Sequence, residues 1–442
     1  MKENIMFYNR DNELATLQQE YKKTGSAFSV IYGRRRVGKT ALIYEYIKDK
    51  PNIFFYATEI NLSIQLTNLL PQILKLIDKP YLKDIQINTL EQLFNLLNEY
   101  DFKKKLVFVI DEYQNLVKID KTISSQLQFI WDTMLKSKNI HLILCGSVVS
   151  MMHSEVLDYS SPLYGRRTTN IHLKELQFKY IKSFIPNISF EDSMNVFASF
   201  GTIPKYLEHY NPNISFYKNI EENMLNKNSF LYQEGYFLLK QELNELTNYF
   251  SILEVISKGE TKIGSIASRL QVPSTHLTRY LSKLIDLDIL TKEVPITEKN
   301  PLKSKLGRYK FKDKFLNFWF FYVYKNYNLL EINKIDAVIK EIKQNFNDRF
   351  VSFAFEDFAK EQIEQNPLKY LNFVPLKVGR WWNNKEEIDL VAFDDENITF
   401  IECKWQNSVD KERIKRDLIK KSLHLKSDKK AEYLVLCKND FV

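Results

Sequence analysis

The sequence predicts an α/β protein: a parallel sheet with a helical lid, then a winged helix-turn-helix, then a second, smaller α/β domain. Three observations carry this expectation. A strand, a glycine-bounded loop and a helix follow one another near the start; several runs of five or six residues are apolar at all or all but one position; and the second half changes to short helices followed by an alternating hairpin.

The chain has 442 residues, enough for about three domains at roughly 150 residues each. Hydrophobic residues make up 44% and aromatic residues 14%, which excludes intrinsic disorder. Lys+Arg 63 against Asp+Glu 55 leaves a net charge of +8, a mild excess whose meaning depends on where it sits. Cys145, Cys403 and Cys437 are scattered, fit neither a disulfide framework nor a zinc spacing, and suit a reducing cytoplasm. Residues 1–12 carry Lys2, Glu3, Arg10 and Asp11 and lack the apolar run of a signal peptide. The greasiest run, 318–324, is far short of the ~20 residues that span a bilayer, so no membrane partner is expected.

Only 11 glycines occur, and two of them bound the first functional segment. Phe28-Ser29-Val30-Ile31-Tyr32 reads as a buried strand, and Ala41-Leu42-Ile43-Tyr44 opens a helix. Between them lies Gly33-Arg34-Arg35-Arg36-Val37-Gly38-Lys39-Thr40. Such a loop turns successive backbone N–H groups onto phosphate oxygens, with the positive end of the helix dipole behind them. Residues 33–41 are therefore the expected nucleotide cradle, with Lys39 on the β and γ phosphates and the Thr40 hydroxyl on magnesium. ATP and Mg²⁺ are the expected cofactors.

A phosphate loop calls for a strand that ends in a metal-holding carboxylate, and Leu106-Val107-Phe108-Val109-Ile110-Asp111-Glu112 supplies it. Asp111 would hold the metal and Glu112 would polarise the attacking water. A further apolar run, 140–145, leads into Gly146-Ser147, which makes Ser147 a candidate sensor of the γ-phosphate. Pro162-Leu163-Tyr164-Gly165-Arg166-Arg167 offers guanidinium groups; Arg166 would reach developing phosphate charge within one subunit or across an interface, or both arginines are simply solvated. With Gly201-Thr202-Ile203-Pro204, five of the 11 glycines fall on these segments.

The segments Phe7-Tyr8-Asn9-Arg10-Asp11-Asn12-Glu13-Leu14, Tyr32 to Thr40, Asp111-Glu112-Tyr113-Gln114 and Leu163-Tyr164-Gly165-Arg166 together resemble the prokaryotic "archaeal ATPase" family, P-loop ATPases of the AAA+/STAND kind. The resemblance implies a P-loop NTPase sheet, the same roles for Lys39, Thr40, Asp111 and Glu112, and a Gly-x-Pro segment near the adenine at Pro204. In this chain Phe200 stands where that segment usually has a second glycine.

From 243 to 311 the pattern is one of short helices. Apolar spacing in 246–256 gives one helix stopped at Lys258-Gly259, 263–270 a second, and Leu277, Leu281 and Leu284 one face of a third. Residues 289–294 and 308–311 bracket a polar loop as the strands of a wing would. Between 262 and 312 there are 11 Lys+Arg against four Asp+Glu, and Thr275, His276, Thr278, Arg279, Ser282 and Lys283 occupy the non-core side of the third helix. DNA is the expected partner of this module, with a protein partner as the alternative. Phe315, Phe318, Trp319, Phe320, Phe321, Tyr322 and Tyr324 crowd one stretch, which reads as an inter-domain core or, more sharply, as a partner surface.

Finally, Glu387-Ile388-Asp389-Leu390-Val391 and Ile401-Glu402-Cys403-Lys404 form a hairpin in which Glu402 and Lys404 share a face and Asp389 can lie alongside. Two carboxylates and a lysine suit a Mg²⁺ or Mn²⁺ site for attack on a phosphodiester, with Glu356 on a preceding helix as a further ligand. The stretch resembles the PD-(D/E)xK nuclease superfamily, which implies a restriction-endonuclease-like fold; the alternative is that fold with only an ion pair between Glu402 and Lys404. The expected divisions are 1–241 for the ATPase domain with its lid, 242–312 for the winged helix, 313–345 for an aromatic connector and 346–442 for the nuclease-like domain. The leading functional expectation is an ATP-hydrolysing, cytoplasmic protein that cuts DNA, able to act as a homo-oligomer. Its rivals are a nucleotide switch that binds DNA or protein without cutting, and a structural adaptor with a vestigial loop.

Overall fold

The computed structural model describes residues 7–98, 103–425 and 427–441. They form two compact units: the chain through Leu176 together with Ile203–Lys205, and 177–202 together with everything from Tyr206 onward.

In the first unit, α1 (Asp11–Lys22) leads into β1 (Ala27–Tyr32), α2 (Lys39–Ile47), β2 (Asn52–Tyr56), β3 (Leu106–Asp111), β4 (Ile140–Gly146) and β5 (Thr169–His172). The strands pair in the order β2-β3-β4-β1-β5, every ladder parallel. β1, β3 and β4 are buried at every residue, as predominantly apolar strands between two helical layers must be. β2 is an edge strand, half-buried by alternation, and its short Ile-Phe-Phe-Tyr run gives a weaker sequence signal. The order places β4 between β1 and β3, so all three release their chains at one edge of the sheet.

One polar side chain is sealed near the opposite edge. The His141 ring lies between Ser29 Oγ at 2.6 Å and Tyr46 Oη at 2.8 Å. Burial pushes its pKa down to about 3, with Lys105, Lys50 and Lys23 adding to the effect.

The second unit contains α3 (Leu246–Ser257), α4 (Ile263–Leu270) and α5 (Ser274–Asp286), followed by β6 (Leu290–Glu293) and β7 (Arg308–Phe311), an antiparallel pair. Next come α6 (Ser352–Gln365), β8 (Lys377–Trp382), β9 (Glu387–Phe393), β10 (Asn397–Lys404), α7 (Lys411–Ser422) and β11 (Lys430–Cys437). Their sheet runs β11-β10-β9-β8; β8, β9 and β10 are antiparallel and β11 joins parallel to β10, which requires α7 as a crossover. The helices expected as a lid to the first sheet pack within this unit, where Phe178 and Phe190 meet Phe358 at ring separations of 4.5 and 5.5 Å. The aromatic stretch is a continuous helical run, Lys314–Phe318 and Trp319–Tyr324, with Trp319 sealed and its Nε1 donating to Tyr232 O at 2.7 Å. Among the described residues no helix is long and apolar enough to cross a membrane.

Two outcomes follow from this packing. A Cβ at Gly235 would lie 2.4 Å from the Trp319 ring, so Gly235→Ala should cost about 1–3 kcal/mol and lower the thermal midpoint. His141 ionises near pH 6.5 in the unfolded chain but only near 3 in the fold. The unfolded state therefore takes up the proton first, and stability falls as pH drops below 6.5, by at most about 1.4 kcal/mol per unit. His141→Gln should remove that component of acid-induced unfolding, read as a flatter dependence of the denaturant midpoint on pH.

Candidate functional site

The chain leaves β1 at Gly33, whose φ is +151°, and a Cβ there would lie 2.3 Å from the Leu173 carbonyl oxygen. Only glycine permits this approach, which lets Leu173 N–H donate to Tyr32 O at 2.7 Å and extends the β1/β5 ladder. Arg36 and Gly38 take left-handed conformations with φ of +71° and +95°, folding the loop into α2. Lys39 is buried in the first turn of α2, and its ammonium donates to Gly33 O and Arg34 O, each at 2.8 Å. Arg10, immediately before α1, braces the loop, donating to Val37 O at 2.9 Å and Lys174 O at 2.8 Å. Arg34 meets Glu175 at 3.4 Å.

Across the edge of the sheet, Thr40 Oγ1 donates to Asp111 Oδ2 at 3.1 Å, while Asp111 Oδ1 accepts the Glu112 N–H at 2.9 Å. Burial raises the Asp111 pKa, opposed by hydrogen bonds from Cys145, the Glu112 backbone and Thr40. A hydroxyl and a carboxylate converging beside a phosphate-type loop are the hard oxygen donors that suit magnesium. Glu112 sits at φ +54°, a strained conformation for a side chain of its size and one that clusters at functional sites. Its carboxylate accepts from Ser147 Oγ at 2.7 Å and from Gln114 Nε2, and Gln114 Nε2 also reaches Ser147 Oγ at 3.2 Å. Ser147 therefore bonds to Glu112. Gly146 before it has no room for a Cβ, with Met152 Sδ at 2.2 Å and Gln114 Oε1 at 2.8 Å from that position.

Arg166 does not reach the loop of its own subunit. β5 runs parallel to β1 with Tyr32 opposite His172, so the loop lies beyond the far end of β5 while Arg166 precedes its start. There it meets Asp132 at 2.9 Å, and Arg167 donates to Val156 O and Leu157 O. The expectation of an arginine acting within the same subunit is thereby corrected. Pro204 is half-buried and groups with the sheet unit.

In the second unit a cavity of about 420 Å³ is lined by Glu356, Asp389 and Lys404, among others. Burial pushes Glu356 up to about 8, Arg380 opposing and Asp389 adding, and pushes Asp389 up to about 6, with Glu402 adding. Glu356 accepts from Arg380 at 2.9 Å, Asp389 accepts the Cys403 N–H at 2.8 Å, and Glu402 accepts from Lys404 at 2.9 Å and Lys421 at 3.1 Å. The three-carboxylate metal set of Glu356, Asp389 and Glu402 is not assembled: among the described residues no three acidic, histidine or cysteine groups gather closely enough to hold a metal ion. Cations sit on two of these carboxylates, Arg380 on Glu356 and Lys404 with Lys421 on Glu402. Arg380 also reaches Asp357 at 2.9 Å and Glu293 of β6 at 2.8 Å.

A sequence family described as an ATPase domain predominantly from Archaea matches residues 7–210, and one of archaeal and bacterial proteins of unknown function matches 319–416. An uncharacterized protein of Methanocaldococcus jannaschii is 37% identical over 422 residues, spanning 94% of this chain and 92% of its own length. The chain belongs to the archaeal ATPase family. A second protein of that organism, described as ATP-binding, is 41% identical over 46 residues, 10% of this chain and 78% of that one. A Walker-type ATPase of Pyrococcus abyssi superposes with a TM-score of 0.53 at 19% identity, over 71% of this chain and 96% of that one, a likeness of fold.

In this archaeal ATPase, sequence reasoning assigned no role to Arg10, Gln114, Glu175 or Arg380. The first two stand within the family-like segments, at Arg10-Asp11 and two residues after Glu112, which is the signal that could have found them. Lys39→Ala should lower nucleotide affinity at least about tenfold in calorimetric titration while the melting temperature holds. Gly33→Ala should lower both, because its Cβ forces β1 and β5 apart.

Proposed function

We propose that this archaeal ATPase hydrolyses ATP at the edge shared by β1, β4 and β3 and uses the nucleotide state to govern action on DNA. The observation that carries the reading is the 3.1 Å bond from Thr40 to Asp111, with Glu112 held beside it by Ser147. Mg-ATP supplies an electrophilic γ-phosphorus and a metal that draws off charge. Lys39, on leaving the carbonyls of Gly33 and Arg34, neutralises phosphate oxygens; Thr40 and Asp111 hold the metal; and Glu112 takes a proton from the attacking water. Gln114 and Ser147 fix the Glu112 carboxylate. Pro204 contributes to the wall beside the adenine. Arg166 lies at the opposite end of β5 from the loop, so an arginine contribution comes in trans, from a second copy of the chain.

The DNA-facing part is α3 to β7, which we read as a winged helix. Thr275, His276, Thr278 and Ser282 are exposed on α5, as are Lys299, Lys303 and Lys305 in the loop between β6 and β7. Arg279 turns back onto Tyr280 and Glu245, which narrows the contact surface of α5. For the terminal domain, the order α6, β8, β9, β10, α7, β11 supports a nuclease-like reading, and Asp389, Glu402 and Lys404 are the residues that would cut with Mg²⁺ or Mn²⁺. A switch without cleavage is favoured by the cations already seated on Glu356 and Glu402.

Glu112→Gln should retain ATP binding and cut single-turnover phosphate release about 100-fold or more; unchanged release would remove Glu112 from its role. In the same preparation, cleavage of supercoiled DNA with Mn²⁺ that Asp389→Ala abolishes selects the nuclease. Intact DNA at every time point, with nucleotide-dependent DNA affinity, selects the switch.

A further inference from the structure

In an all-parallel sheet every strand begins at the same edge, so residues that precede the strands converge there however far apart they lie in sequence. In the first unit that edge is lysine-rich. Lys22 and Lys23 precede β1, and Lys48 and Lys50 precede β2. Lys103, Lys104 and Lys105 precede β3, and Lys136 and Lys138 precede β4. Among the described residues of these approaches, the acids are Glu20 at the end of α1, Glu45 and Asp49 before β2, and Asp132 before β4, which pairs with Arg166; Glu99 and Asp101 lie outside the described residues. A cleft of about 730 Å³ opens at this edge, lined by Lys22, Lys23, Lys50, Lys104 and Lys105 with Asp49.

The internal pairing is light and leaves most of the charge outward. Lys23 meets Glu20 at 2.5 Å and Lys48 meets Glu45 at 2.5 Å. Lys105 is buried and donates to Glu20 O at 3.2 Å and Lys23 O at 2.6 Å, so it fixes the floor of the cleft. Lys22, Lys103, Lys104 and Lys136 are exposed. The positive field is felt inside the sheet, where Lys105, Lys50 and Lys23 help burial to keep His141 neutral. In the 262–312 segment four of the eleven cations are met by acids: Lys310 by Glu293, Lys312 by Asp288, Arg308 by Glu387 and Arg279 by Glu245.

We propose that the strand-start edge of the ATPase sheet is a polyanion-binding face that takes the phosphate backbone of duplex DNA, on the opposite edge from the nucleotide loop. The four strands it crosses span roughly 14 Å at ~4.8 Å spacing. That is the axial length of about four base pairs, which carry about eight phosphate charges. The length and the charge match a stretch of backbone better than one small phosphate ester. Lysines here are point charges without the planar fork of arginine, which suits contact that positions DNA without reading its bases. The face is separate from the winged-helix reading and stands or falls apart from it.

The test uses the full chain and a short fluorescein-labelled duplex of mixed sequence, titrated over a range of salt concentrations. The variant Lys22→Ala/Lys103→Ala/Lys104→Ala/Lys136→Ala should lose at least about tenfold in affinity and flatten the slope of log K against log salt by about 3 to 4, with ATP affinity and melting temperature unchanged. A second variant, Lys299→Ala/Lys303→Ala/Lys305→Ala, reports on the wing. Loss in the wing variant alone overturns the sheet-edge proposal and leaves DNA binding standing; loss in the sheet-edge variant supports it whatever the wing does. A wild-type chain that does not bind the duplex overturns both, and binding of inorganic tripolyphosphate at this edge without any change in DNA affinity overturns it in favour of a small-anion site. Should the quadruple variant unfold, formaldehyde cross-linking of the wild-type complex decides: adducts on Lys22 or Lys104 support the proposal, and adducts confined to 262–312 overturn it.

Discussion

The bond from Thr40 to Asp111 is the constraint on which the nucleotide site depends. It joins the first turn of α2 to the end of β3, and these meet only because β4 spaces β1 and β3 at a fixed distance in one sheet. The three central strands of that arrangement are buried on both faces, so the apolar runs of β1, β3 and β4 serve the chemistry as much as the core. A polar side chain inside β3 would shift its end, and with it the carboxylate that accepts from the Thr40 hydroxyl.

Around that bond, positions that look costly share a role. Gly33 admits the Leu173 carbonyl, Gly146 admits Met152 and Gln114, and Glu112 accepts a left-handed backbone. Each moves a backbone or carboxylate closer to the shared edge than an ordinary strand exit would allow. Ser147 and Gln114 then occupy the oxygen of Glu112. The carboxylate that is to take a proton is thus oriented by two donors before any water arrives, and orientation of this kind lowers the cost of reaching the reacting geometry.

The phosphate loop was legible in the sequence because its spacing is local: Gly33, Gly38, Lys39 and Thr40 sit within eight residues, between elements of unmistakable period. Asp111 and Glu112 were legible because they end an unbroken apolar run. What was not legible depends on contacts across long separations. Arg10 meets Val37 and Lys174; Arg166 meets Asp132 because β5 starts where β1 starts; and Arg380, on a strand with no clean alternation, takes Glu356 out of the expected metal set. The lid residues near Phe178 and Phe190 joined the second unit because aromatic packing on Phe358, which no local pattern announces, decided their side.

Charge shows the same dependence on topology most sharply. Counted along the chain, 262–312 carries 11 Lys+Arg against four Asp+Glu, yet four of its cations find Glu245, Asp288, Glu293 and Glu387, two of which lie outside that stretch. Counted in space, the lysines before β1, β2, β3 and β4 are separate pairs and triplets in sequence that the parallel sheet brings to one edge. A linear count therefore overstates the field where opposite charges are near in the fold, and misses it where the fold assembles like charges. The parallel sheet thus has two edges with distinct chemistry. Where its strands end, backbone and carboxylates are arranged around a phosphate loop and a metal-type donor pair; where they begin, ammonium groups are gathered at a separation set only by strand spacing.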